Sequence, residues 1–253
     1  MLSMENRRQA IVDLVNQLGE VNIRDLKNLF PKVSEVTLRK DLRCLDEDKK
    51  LVRIHGGAKS IQDIAGYGSN FAMRKSLQQE EKSLIGQKAA SLLESGASIY
   101  ISSGTTCAEL AKHLPSFPLY VFTDGLMVAL DVPASSDIHV EVLGGTLNRN
   151  LMRLGGPMVI SALEELRFDY AFIGTPGFHP SFGFSCTTPM IAATNSKAID
   201  RSEKVVVLMD SSKVNYVHTP RNIPMQAVDI VVSDGKFPPE IIAVMEDNGI
   251  TIL

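Results

Sequence analysis

At 253 residues the chain has room for one small and one medium domain, and 44% hydrophobic with 22% charged residues is an ordinary globular composition. No apolar run reaches the length of a membrane span, and the opening MLSMENRRQ lacks the apolar stretch of a signal peptide. Cys44, Cys107 and Cys186 are scattered without metal-ligand spacing and read better as reduced intracellular thiols than as a disulfide framework; a cytoplasmic protein is expected, with no membrane, metal or cofactor. The net charge of −3 hides a split. Residues 1–60 hold 12 Lys+Arg against 9 Asp+Glu, or +3, and residues 61–253 hold 14 against 20, or −6. A basic head on an acidic body suits one domain that meets phosphate and one that does not.

The spacing of Ile11, Leu14, Val15 and Leu18 predicts a helix over residues 6–18, stopped at Gly19. A short second helix over 23–30 carries Ile23, Leu26, Leu29 and Phe30. The segment SEVTLRKDL, residues 34–42, predicts a third helix, with Ser34 as its N-cap. Leu38, Leu42 and Leu45 fall on one face, and Arg39, Lys40 and Arg43 fall on the opposite arc with Val36 among them. One side buries; the other offers cations to phosphates and guanidinium forks to base edges. Residues 51–57, LVRIHGG, read as a strand and a glycine turn, so three helices and a hairpin predict a winged helix-turn-helix over residues 1–58. The candidate DNA contacts are Ser34, Val36, Thr37, Arg39, Lys40 and Arg43, with Arg53 and His55 on the wing. A solvated basic helix face is the competing reading of these residues.

Residues 59–74 read as a linker, with two glycines in AGYGS. From 75 to 253 a helix over 79–93 leads into short apolar strands alternating with helices. Strands are expected at 98–101, 119–122, 139–143, 170–173, 205–209 and 230–232, and helices at 108–114, 125–130, 159–166 and 191–201. Such alternation predicts an α/β domain with a mostly parallel sheet covered on both faces. Ser102, Ser103, Gly104, Thr105 and Thr106 follow a strand and open a helix, where a glycine, hydroxyls and first-turn N–H groups suit a phosphate. Further loops after strands gather Thr123 with Asp124, Gly144 with Gly145, Gly174, and Asp210 with Lys213. Lys197 and Lys213 would add positive charge, and Asp124 or Asp210 would take sugar hydroxyls. The bland readings are tight turns, a solvated Lys197 and a turn-capping Asp210.

The chain resembles the DeoR family of bacterial transcription regulators. Arg7, Ile11, Val15, SEVTLRKDL and RIHGGA carry the likeness in the head, and SSGTT, LGGTLN, FDYAFIG, TTP and DSSK carry it in the second half. The resemblance implies a winged helix-turn-helix followed by a ribose-5-phosphate-isomerase-like sensor that holds a phosphorylated sugar, with Thr188 and Lys197 among its residues. It implies a repressor of a carbohydrate-metabolism operon that binds double-stranded operator DNA; a dimer or tetramer is expected because one small winged helix buries too little surface for tight operator binding alone. The chain departs from the family pattern at three places. The turn at residues 30–33 is one residue longer than expected, Ser102 stands where an acidic residue is expected, and Ala192, Ala193 and Asn195 stand where glutamates are usual. A sugar-phosphate isomerase with an appended DNA-binding head is the alternative, with Asp124 or Asp210 as its base.

Overall fold

The computed structural model describes residues 3–48, 50–60, 71–134 and 137–253. The chain divides into two compact units, Met1–Gly68 and Ser69–Leu253. In the first, α1 (Met4–Leu18), β1 (Glu20–Asn22), α2 (Ile23–Leu29) and α3 (Glu35–Glu47) precede a hairpin of β2 (Val52–Ile54) and β3 (Gly57–Lys59). Each helix starts on a side-chain cap. Ser3 accepts from the Asn6 N–H, Asn22 forms a reciprocal box with Asp25, and Ser34 accepts from the Thr37 N–H. Ile11, Val15, Leu26, Leu38, Leu42 and Leu45 close the core. β1 joins the hairpin as a third strand, in the order β1-β3-β2. Sequence periodicity does not reveal β1, because it spans three residues and buries only Val21.

The expected linker is shorter at both ends. Lys59 pairs with Glu20 and Val52 in the wing sheet, and residues 71–74 begin a helix, α4 (Phe71–Ser76). Residues 61–70 of that expectation lie outside the described residues.

The second unit continues with α5 (Gln79–Ala90), β4 (Ser98–Ile101), α6 (Thr105–Lys112), β5 (Leu119–Thr123), α7 (Leu126–Asp131), β6 (Ile138–Val142), β7 (Thr146–Asn148), β8 (Arg153–Gly155) and α8 (Pro157–Glu164). Then come β9 (Phe168–Gly174), β10 (Gly177–His179), β11 (Gly183–Ser185), α9 (Pro189–Asp200), β12 (Ser202–Leu208), β13 (Arg221–Ile223), β14 (Ile230–Val232), α10 (Pro239–Asp247) and β15 (Thr251–Ile252). Seven strands form one parallel sheet in the order β15-β14-β12-β9-β4-β5-β6. Its apolar strands feed a core on each face. Val205 and Val207 pack with Tyr100, Phe168 and Leu163 on one side, while Val206 and Leu208 pack with Ile99, Ile101, Phe172 and Leu110 on the other. Each such side chain contributes roughly 1.5–3 kcal/mol on burial.

All six strands expected from sequence lie in this sheet. β9 and β12 run further at their starts, because the polar Ser202 still pairs with Phe168 in the ladder. The hairpin β7–β8, the small antiparallel sheet β10-β11-β13, α10 and β15 add to the expected elements. After β4 the chain builds β5 and β6 on one side and returns to build β9, β12, β14 and β15 on the other. The boundary between β4 and β9 is therefore the topological switch point, where ligands enter open α/β sheets.

Candidate DNA-binding and effector sites

The candidate recognition helix of the head is α3. At about 100° per residue, Val36, Lys40 and Arg43 share one arc and Arg39 lies at its edge. All four are exposed, and Leu38, Leu42 and Leu45 are buried opposite. Arg39 lies 3.8 Å from Glu35, and both side chains are more than half exposed, so the pair adds little and leaves the guanidinium available. The Ser34 hydroxyl caps α3 and lies 2.9 Å from the Thr37 hydroxyl. Arg53 and His55 are exposed on the hairpin, where Asp46 Oδ1 accepts from the Arg53 N–H at 3.0 Å.

The long turn before α3 has its own fastening. Lys27 Nζ donates to the Pro31 carbonyl at 2.9 Å and to the Val33 carbonyl at 2.7 Å. A second fastening is Asp41, buried on the apolar side of α3, which accepts from Arg7 Nε at 2.7 Å and Arg8 Nε at 3.0 Å. A carboxylate on the apolar side of α3, beside Leu38 and Leu42, was the legible sign that another element must supply a cation.

In the second unit, α6 begins at the switch point. Gly104 precedes it with φ 152°, and no side chain caps the helix, which leaves first-turn N–H groups open. Ser103, Gly104 and Thr106 are half-buried there, and Thr105 is buried. Gly174, at the end of β9, faces this turn, since a Cβ on it would sit 3.3 Å from Cys107 Sγ. By contrast Thr188 caps α9 with its own hydroxyl, which accepts from the Ile191 N–H at 3.3 Å. Thr188 also borders a recess shared with Thr146, Asn148, Arg153, Gly155 and Ile191.

Beneath the loop lies a buried polar chain. Asp124 Oδ1 accepts from the Ser103 N–H at 2.9 Å, and Oδ2 is 2.6 Å from Arg153 Nη2. Arg153 donates to Asn195 Oδ1 at 3.0 Å, and Asn195 Nδ2 donates to Asn222 Oδ1 at 2.7 Å. All four side chains are buried. Burial pushes the Asp124 carboxyl up from its usual range, opposed by Arg153 and by the Ser103 N–H. Burial, then the neighbouring Asp124, holds the Tyr100 phenol well above its usual value. Asn195 needs both ends of its amide here, an acceptor for Arg153 and a donor for Asn222. A glutamate would supply only acceptors.

Several expected ligand contacts are committed to the fold instead. The Ser102 hydroxyl is fully buried beside Cys107 Sγ at 3.8 Å. Thr123 Oγ1 donates to the Ile101 carbonyl at 2.6 Å and accepts from the Gly125 N–H at 2.9 Å, so it ties β5 to β4. Asp124 is sealed and paired, which removes it as a partner for sugar hydroxyls or as a base. Asp210 is buried and caps its own turn, accepting from the Ser212 N–H at 3.0 Å. Gly145 serves packing: a Cβ there would meet the Gly155 carbonyl oxygen at 2.6 Å, and Gly144 is exposed beside it. Lys197 pairs with Glu164 at 3.2 Å. Glu164 ends α8, which leads into the start of β9, so Lys197 sits at the sheet edge opposite the loop. Lys213 stays on the loop side, 3.9 Å from Asp210.

Sequence reasoning missed Asp41, Arg153, Asn222 and Lys82. Lys82 is buried on α5, and its ammonium donates to the Arg74 and Leu77 carbonyls, each at 2.6 Å. Burial, with Lys213 nearby, lowers its pKa from 10.5 to about 8. A lone arginine in the apolar run LMRLGG was the available signal for Arg153.

The family models match both halves. A DeoR-like helix-turn-helix domain matches residues 7–63, and the DeoR C-terminal sensor domain matches residues 77–235. The chain is 30% identical over 246 residues to the HTH-type transcriptional regulator YulB of Bacillus subtilis, covering 97% of this chain and 95% of that protein. It is 35% identical to FruR of the same organism, covering 86% and 85%, and 28% identical to its HTH-type transcriptional repressor GlcR, covering 98% and 95%. A ribose 5-phosphate isomerase A from Methanocaldococcus jannaschii is similar over 54% of each chain, at 17% identity and a TM-score of 0.38. The relatives are regulators rather than enzymes, and with both halves matched in order, this chain belongs to the DeoR family of DNA-binding transcription regulators.

Proposed function

We propose that the protein is a cytoplasmic repressor of a carbohydrate-metabolism operon. In this reading it binds double-stranded operator DNA as a homo-oligomer through Val36, Arg39, Lys40 and Arg43 of α3, with Arg53 and His55 of the wing. A phosphorylated sugar, held by Ser103, Gly104, Thr105 and Thr106 with Lys213 nearby, releases it. The uncapped amino end of α6 at the switch point carries this reading. Open N–H groups and the helix dipole there suit one dianion; α5, α7, α8 and α10 also start without a side-chain cap, and α6 is set apart by opening directly after β4 at the switch point. Release follows only if the sugar phosphate binds the DNA-free state more tightly than the DNA-bound one.

A thermal-shift screen tests the ligand. Sugar phosphates are compared with the matching free sugars and with inorganic phosphate, since binding to the folded state raises Tm with ligand excess over Kd. One or a few sugar phosphates should raise Tm and displace labelled DNA, selected from a random duplex pool, in fluorescence anisotropy. Equal responses to a sugar and its phosphate would overturn the phosphate assignment.

A further inference from the structure

β6 forms one edge of the parallel sheet, and among the described residues no strand pairs with its outer side. Edge strands are commonly protected by lysine, proline or a bulge. β6 reads Ile138-His139-Val140-Glu141-Val142, with Glu141 as its one full charge and no lysine, proline or bulge; its register with β5 is unbroken. The ladder shows which atoms face outward. The Leu119 N–H donates to the Asp137 carbonyl, and the Leu143 N–H donates to the Thr123 carbonyl. Odd-numbered residues of β6 therefore bond β5, and Ile138, Val140 and Val142 turn their N–H and C=O outward.

We propose that two copies of this chain join edge to edge through β6, antiparallel about Val140, into one continuous sheet. This rests on the reading of the protein as a homo-oligomer and names its surface. In that register Val140 meets Val140, and Ile138 meets Val142, as hydrogen-bonded pairs that exchange both N–H···O bonds. His139 then faces Glu141 of the other copy, twice, at the non-hydrogen-bonded positions where side chains approach most closely. An imidazole always has an N–H for a carboxylate, so the pairing is complementary in either charge state. Centring the pair on His139 or on Glu141 instead sets like against like, and centring on His139 also brings Asp137 against Glu141. A two-fold interface is self-complementary in this way, residue i on j and j on i. A five-residue strand alone buries less than a stable dimer needs. Apolar surface flanks it: Val142 is 40% exposed, Tyr120 beside His139 is 52% exposed, and Leu130 on α7, which packs against β6, is 73% exposed.

The test is sedimentation equilibrium of the full chain at micromolar concentration. His139→Glu sets Glu against Glu, and Glu141→His sets His against His. Each should weaken one step of assembly about tenfold or more, and the double variant His139→Glu/Glu141→His should restore it. Val140→Pro deletes an outward N–H that β5 does not use, and should abolish the same step with the fold intact by circular dichroism. Wild-type assembly in both single variants and in Val140→Pro would overturn the β6 surface while leaving an oligomeric repressor standing. A double variant as weak as the singles would overturn the register. A monomeric wild type would overturn both the surface and the oligomer.

Discussion

Arg153 Nη2 lies 2.6 Å from Asp124 Oδ2, and this sealed ion pair ties β8 to the loop after β5, directly under the Ser103 N–H. Removing one partner leaves an uncompensated buried charge. Arg153→Met should therefore lower the unfolding free energy by roughly 3–5 kcal/mol. Arg153→Met combined with Asp124→Asn should cost less than the sum of the singles. Urea unfolding of the three variants measures both, and a single-variant loss under about 1 kcal/mol would show that solvent reaches the pair.

On α3, alanine at Arg39, Lys40 or Arg43 should weaken operator binding. A residue that reads a guanine should cost about 1–3 kcal/mol and relax specificity at one position. A residue that contacts only phosphate should cost similar amounts on every sequence and make the salt slope shallower. Anisotropy titrations at several salt concentrations separate the two. Wild-type affinity in all three variants would rule out this face.

Thr106→Asp sets a carboxylate in the first turn of α6, where the dianion is proposed to sit. An aspartate suits a helix N-terminus, so the fold should hold. Operator affinity should stay near wild type, and the sugar phosphate that releases the wild type should fail to release this variant. Normal release would move the phosphate to another place.

Lys82 gives the stability a pH dependence of known sign. Its folded pKa, about 8, lies below the ordinary 10.5, so between these values the unfolded chain binds more protons. The cost of burying the charged ammonium is fully present below pH 8 and is relieved as pH rises toward 10.5. Wild type should gain on the order of 2–3 kcal/mol relative to Lys82→Met between pH 7.5 and pH 10. Paired urea titrations read this as a widening gap in midpoint, and a gap independent of pH would place the ammonium in water.

Much of the architecture is written locally. The period of Leu38, Leu42 and Leu45 sets the buried side of α3, and that alone fixes Val36, Lys40 and Arg43 outward. The apolar runs at β4, β9, β12 and β14 declare a sheet covered on both faces, because strands buried on both sides lose their alternation; at β5 and β6 the expected cover is missing on one face, where Tyr120, His139 and Glu141 are exposed. The loop at residues 102–106 is likewise visible as a strand end, a glycine and hydroxyls.

What each loop residue does was decided only in three dimensions. Sequence shows that Ser102, Thr123, Asp124 and Asp210 follow strands, but not whether they point to solvent or inward. Thr123 turns to the Ile101 carbonyl and Asp124 to Arg153, because burying a polar group without a partner costs more than ordering it against one. Lys197 was assigned by its place on α9. That helix runs back across the sheet, which carries a residue late in it to the edge opposite the loop, against Glu164. Asp41 finds Arg7 and Arg8 across 34 and 33 residues, and Arg153 finds Asn195 across 42. Residue type and spacing set what each side chain is able to bond, and the packing of distant elements selects the bond that is made.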